Sequence, residues 1–150
     1  MKIAIGSDHG GFSVKEIAKP HLEKLGCEVI DFGTNTPDSC HYPIYAEKVA
    51  RAVASGEADK GILICGTGIG MSLVANKVKG IRCALCSDSY SAKMTRAHND
   101  SNMLAMGARV IGVEVAKEIV AAWLDTPFEG GRHQARVDMI TALENGETLE

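Results

Sequence analysis

Residues 61–70 read GILICGTGIG, and this run decides the architecture. Gly61 to Cys65 is almost wholly apolar and does not alternate, the pattern of a strand buried on both faces at the centre of a parallel sheet. The five residues Gly66-Thr67-Gly68-Ile69-Gly70 hold three glycines. They stand between that strand and an amphipathic stretch reaching about Val78, which reads as a helix. Glycines there let the backbone approach a ligand closely and leave N–H groups pointing at it, so an anion is the natural occupant. The spacing is not the dinucleotide fingerprint, because the third glycine comes one residue early, and the GK[ST] ending of a triphosphate loop is missing. Asp88 could imitate the ribose-binding acid of that fingerprint, but the motif follows the third strand rather than the first. The plainer alternative is that the glycines serve only tight strand–helix packing.

Outward from this run, short β-branched segments alternate with longer amphipathic ones. Strands are expected at Lys2–Gly6, Cys27–Phe32, Ile81–Ser87 and Met103–Met106, besides Gly61–Cys65. Helices are expected at Phe12–Leu25, Ile44–Ser55, Ser89–His98, Val115–Leu124 and Arg132–Leu143. Gly26 stops the first, and Pro20 should kink or split it. This is one α/β domain spanning 1–150: a three-layer, doubly wound, five-stranded parallel sheet of flavodoxin- or Rossmann-like type, order 2-1-3-4-5, with an extra C-terminal helix. In that order the first and third strands flank the switch point, where ligands bind beyond the carboxyl ends. The loops after them, SDHGG (Ser7–Gly11) and CGTGIG (Cys65–Gly70), then share one crevice.

Composition narrows the class. The 150 residues are 45% hydrophobic and carry 16 Lys and Arg against 19 acids, a net charge of −3. The scattered charges lack the basic stripe of a nucleic-acid protein. No apolar run approaches the ~18–20 residues of a membrane helix, and MKIAIGSDHGG does not read as a signal peptide. The expectation is a soluble cytoplasmic protein. Five cysteines, an odd number, argue against a disulfide framework in such a chain. Cys65, beside the free amides of the glycine loop, is either a stabilised thiolate or a small buried hydrophobe. Cys83 and Cys86 lie inside a strand-like run, where core filling is the better reading than redox chemistry or zinc. The histidines show no i, i+4 pairing, so no metal site is expected. His9 and His98 sit near element ends among polar neighbours. Arg132 and Arg136, four apart at a helix start, project from one face as a phosphate clamp or as a solvated basic surface.

GSDHGG (Gly6–Gly11), HYP (His41–Pro43), GILICGTGIGMS (Gly61–Ser72), ANKVKGIR (Ala75–Arg82), HND (His98–Asp100) and EGGRH (Glu129–His133) occur here in one order. Together they resemble the type B ribose-5-phosphate isomerase family, which includes galactose-6-phosphate isomerase subunits, over essentially the whole chain. The resemblance implies cofactor-free and metal-free interconversion of ribose 5-phosphate and ribulose 5-phosphate through an enediolate, a step of the pentose phosphate pathway. It also implies a homodimer with shared active sites, or a tetramer made of two such dimers. By matched motif, Cys65 resembles the base that moves a proton between C2 and C1, with Thr67 supporting the proton traffic. The amides of Gly66, Gly68 and Gly70 resemble an anion hole. His98 resembles the ring-opening residue, with Asp8 its helper. His9, Arg132, Arg136 and Arg109 resemble phosphate ligands, and Asn99 and Tyr42 sugar contacts. HYP replaces the commoner DYP, so the contact made by that acid is not carried over. The alternatives are an isomerase of a six-carbon sugar phosphate (allose or galactose 6-phosphate) and a non-catalytic sugar-phosphate- or nucleotide-binding module.

Overall fold

The computed structural model describes all residues from Met1 to Glu150. In chain order the elements are β1 (Lys2–Ser7), α1 (Phe12–Lys24), β2 (Glu28–Asp31), α2 (Tyr42–Ala54), β3 (Lys60–Cys65), α3 (Ile69–Ala75), β4 (Cys83–Leu85), α4 (Ser89–Asn99), β5 (Met103–Gly107), α5 (Val113–Asp125) and α6 (Arg132–Glu144). The strands form one five-stranded parallel sheet. Helix α1 runs through Pro20 as one element, and α3 stops at Ala75, short of the expected Val78. No helix is long and apolar enough to cross a membrane.

Alternation along the strands divides the core into two. Ile3, Ile5, Ile62, Ile64, Leu104 and Met106 pack on one face with Val14, Leu22, Ile119 and Trp123. Ala4, Leu63, Cys65, Met103 and Ala105 pack on the other with Val49, Ala50, Met71 and Ala75. Successive residues point to opposite faces, so each strand feeds both layers, and a sheet covered on both sides results.

The sheet runs β2-β1-β3-β5-β4. The doubly wound parallel architecture is as expected, and β1 and β3 are neighbours at the switch point. Relative to 2-1-3-4-5 the last two strands exchange places, with β5 beside β3 and β4 at the edge. Burial accounts for this. Every residue of β5 is buried, whereas β4 is three residues long with Leu85 exposed. A short strand with an exposed side chain suits an edge. The outer rim of β4 is closed by Asn76, whose Nδ2 donates to the Cys83 carbonyl at 3.0 Å while its Oδ1 accepts the Cys83 N–H at 2.8 Å. One side chain thus occupies the outward backbone groups of Cys83, where a further strand would otherwise pair.

Two features lie outside the core. Helix α6 buries only His133 and Val137, leaving Met139, Ile140 and Leu143 exposed. Lys15 on α1 is fully buried, and its Nζ donates to both Asp31 carboxylate oxygens at 2.8 and 2.7 Å. Asp31 Oδ1 also accepts the Gly33 N–H at 2.9 Å, and the Gly33 carbonyl accepts the Ser7 N–H at 2.8 Å. The pair therefore holds the chain beside the end of β1. Burial pushes the Asp31 carboxyl up, but Lys15, Lys19 and the Gly33 N–H outweigh it and hold it below its ordinary 3.8. A depressed carboxyl adds stability above its unfolded value, and that stability is lost as pH falls through the folded one. Lys15→Met is expected to lower stability by about 3 kcal/mol at pH 7, because it leaves the Asp31 charge without its buried partner. In urea melts run at a series of pH values, the gap between wild type and Asp31→Asn should be full at neutrality. It should shrink only below the ordinary carboxylate range.

Candidate active site

At the carboxyl edge, the loop after β1 folds against the end of β3. The buried Asp8 donates its N–H to the Ile64 carbonyl at 3.3 Å, and its Oδ1 accepts the Gly11 N–H at 3.0 Å. A Cβ on Gly11 would land on the Ile64 carbonyl, and one on Gly10 would stand 3.3 Å from the Gly66 nitrogen. The two loops touch backbone to backbone, which only glycine allows. His9 Nδ1 accepts the Cys40 N–H at 3.2 Å. In the neutral ring the proton then sits on Nε2.

Cys65 ends β3, buried, and its Sγ accepts the Gly68 N–H at 3.1 Å. Gly68 reaches this position with φ +78, and a Cβ there would meet Leu85 Cδ1 at 2.6 Å. Thr67 Oγ1 accepts the Ile69 N–H at 3.2 Å. The N–H groups of Gly66, Thr67 and Gly70 donate to no protein backbone group. The cup of free amides is therefore smaller than Gly66-to-Gly70 implies: Gly68 serves the sulfur and Ile69 the threonine. Helix α3 has only seven residues, so loop N–H groups rather than a long helix dipole define the cup. Arg109 donates its N–H to the Gly66 carbonyl at 3.0 Å, and its guanidinium lies beside Gly66. The Tyr42 ring covers Gly70, where a Cβ would stand 2.7 Å from its Cζ. Gly70 thus makes room for an aromatic ring, which spacing does not reveal.

The other expected residues gather elsewhere. His98 lies near the end of α4 and Asn99 closes it; Arg132 and Arg136 lie on α6, with Asn99 and both arginines exposed. His98 stacks on buried His133, ring centroids 4.2 Å apart and planes within 10°. Glu129 Oε2 is 3.2 Å from His133 Nε2 and 3.9 Å from His98 Nε2. These three offer ligand atoms within 4.8 Å of one another and could hold a metal ion. The i, i+4 relation of Glu129 and His133 was open to reading, but the contact with His98 joins residues 35 apart in sequence. In the sheet register Cys65 pairs with Gly107, whereas Gly61 pairs with Met103, just after the α4 end. At about 3.3 Å per residue the two groups stand at opposite ends of the strands, roughly 13 Å apart along β3. Asp8, His9, Tyr42, Cys65, Gly66, Thr67, Gly68, Gly70 and Arg109 share the carboxyl edge, and His98, Asn99, Arg132 and Arg136 the amino edge.

Cys83 and Cys86 are chemically quiet. Burial pushes the Cys83 thiol up to about 12, and burial with nearby Asp88 pushes Cys86 up to about 11. Both stay protonated at neutral pH, which suits core filling rather than redox chemistry.

A family model described as Ribose/Galactose Isomerase matches residues 3–140. The chain is 57% identical over 143 residues to ribose-5-phosphate isomerase B of Escherichia coli K12, covering 95% of this chain and 96% of that one. It is 45% identical over 148 residues to the D-erythrulose-4-phosphate isomerase of Pectobacterium atrosepticum, covering 98% and 97%. The solved structure of Clostridium thermocellum ribose-5-phosphate isomerase B superposes with a TM-score of 0.96 at 55% identity, covering 97% of this chain and 99% of that one.

The backbone contact between the two loops predicts a contrast between glycines. Gly11→Ala should lower the thermal midpoint by the equivalent of about 3 kcal/mol, the upper range for overpacking against groups that cannot yield. Gly112→Ala, with open space around it and no positive φ, should cost no more than about 1 kcal/mol, the preference for glycine over alanine at the N-cap of α5.

Proposed function

Because the chain belongs to the ribose/galactose isomerase family, we propose that it interconverts ribose 5-phosphate and ribulose 5-phosphate through an enediolate, with Cys65 as the base. One observation carries this reading: the Cys65 sulfur takes the Gly68 N–H at 3.1 Å, directly beside the free N–H groups of Gly66, Thr67 and Gly70. Moving a proton between carbons next to a carbonyl needs a base and preorganised donors where oxyanion charge develops. The donor aimed at sulfur gives negative charge on it a fixed partner. The free amides face the oxyanion that forms when C2 loses its proton to that sulfur. Return of the proton to C1 completes the aldose-to-ketose step, with Thr67 passing the proton between the sugar oxygens. A module that only binds sugar phosphate needs no buried thiol under a donated N–H.

The division of residues between two edges of the sheet supports shared sites. In a homodimer, the carboxyl edge of one protomer supplies Asp8, His9, Tyr42, Cys65 and Arg109. The partner's amino edge supplies His98 to open the sugar ring, Asn99 to hold it, and Arg132 and Arg136 to clamp the phosphate with His9. Phosphate held by the clamp positions C2 without taking part in the reaction. The exposed Met139, Ile140 and Leu143 of α6 give such a pairing an apolar surface to bury.

Cys65→Ala is expected to lower kcat by roughly 10²–10⁴ while sugar-phosphate binding, measured by calorimetry, changes little. Retention of most of the activity rules the assignment out. Mixing Cys65→Ala with His98→Asn protein and allowing subunits to exchange should restore roughly a quarter of wild-type activity, since half the dimers then carry one intact site. No recovery means that both residues act within one chain. Comparing kcat/KM across four-, five- and six-carbon sugar phosphates identifies the substrate; a preference for galactose or allose 6-phosphate would replace ribose 5-phosphate in this reading.

A further inference from the structure

We infer that His98, Glu129 and His133 form a binding site for a zinc-class divalent ion, and that an ion held there competes with the sugar phosphate. Four ligands about 2.0–2.1 Å from a tetrahedral ion stand roughly 3.4 Å from one another. The Glu129 Oε2 to His133 Nε2 separation of 3.2 Å meets that spacing, and the 3.9 Å to His98 Nε2 is about half an ångström too long. The His133 nitrogen supplies the second, independent observation. His133 is 6% exposed, and its Nε2 is buried without a hydrogen-bond partner: the Glu129 Oε2 stands 3.2 Å away but off the line of a hydrogen bond. A buried imidazole nitrogen left unpaired is costly, and a metal ion satisfies it.

Two imidazoles and one carboxylate select zinc-class ions over calcium and magnesium, which take oxygen ligands. In the stack both Nε2 atoms lie within 3.9 Å of the Glu129 oxygen, and turning the half-exposed His98 ring out of the stack is what would bring its lone pair onto the ion. His133 and the turn holding Glu129 stay in place: the Glu129 N–H donates to the Ala97 carbonyl at 3.0 Å, tying that turn to α4. Three protein ligands leave a fourth position open to water or a sugar oxygen. Competition with substrate rests on the proposed place of His98 in the reaction; the ion site itself does not.

Chelator-treated full-length protein titrated with Zn²⁺ by calorimetry should bind one ion per chain at this site. Co²⁺ in its place should give the strong visible bands of four-coordination. Glu129→Gln, at an exposed position, should weaken binding by more than roughly tenfold, the least that loss of even an outer-shell partner costs. His133→Asn should do the same. A Cys40→Ala/Cys65→Ala variant should bind as tightly as wild type. Unchanged affinity in both Glu129→Gln and His133→Asn overturns the site, as does binding that vanishes with the two cysteines. In steady-state assays the ion should raise KM and leave kcat unchanged. Full occupancy with an unchanged KM overturns the role given to His98 and leaves the ion site standing.

Discussion

The loop after β1 reaches the end of β3 so closely that no Cβ fits on Gly11 beside the Ile64 carbonyl, and the carboxyl edge of the sheet is built on that approach. With the loops in backbone contact, Asp8 turns inward, His9 meets the Cys40 backbone, and Gly66 begins a turn that Gly68 completes over the Cys65 sulfur. The Lys15–Asp31 pair braces the same approach from behind, through Gly33 and Ser7. A buried ion pair is weak evidence for stability. Its position, two hydrogen bonds from the end of β1 by way of Gly33, is what ties it to the site.

A parallel sheet sorts chemistry by edge. Each strand delivers its carboxyl end to one side, and each helix carries the chain back to the other, so a residue late in a helix lies far from one just after a strand. Cys65 and His98 are such a pair. Bringing them to one substrate takes two chains in the proposed arrangement. The fold thus links the chemistry to the otherwise unpartnered face of α6, which the core does not need.

What the sequence made legible follows from how local each signal is. The apolar run into Cys65 and the glycines after it announce a central strand and a turn with free amides, because both depend on neighbours in the chain. Exchange of β4 and β5 escapes such reading, since it turns on which strand is better buried, a property of the finished sheet. The packing of Tyr42 on Gly70 and the stack of His98 on His133 escape for the same reason: their partners are distant in sequence. The arginine pair on α6 was visible as a pair, but nothing local separated a phosphate clamp from a solvated face. Gly68 is legible only in part: a glycine there announces backbone freedom, but that its N–H serves the sulfur rather than an incoming anion depends on the folded turn.

The place of β5 between β3 and β4 has a consequence for biosynthesis. Synthesis makes β3 and β4 before Met103–Gly107, so the apolar β3 emerges with one rim unpaired and β4 emerges ahead of the strand it pairs with. Asn76 is already there to cover the outer side of β4, seven residues ahead of Cys83, but nothing local covers the gap. In chain order the sheet cannot grow outward strand by strand, because its last strand belongs between two earlier ones. Such non-local pairing is slow and leaves strand edges open to other chains meanwhile. Truncation before Met103 would therefore remove the keystone of the nascent fold rather than a dispensable tail.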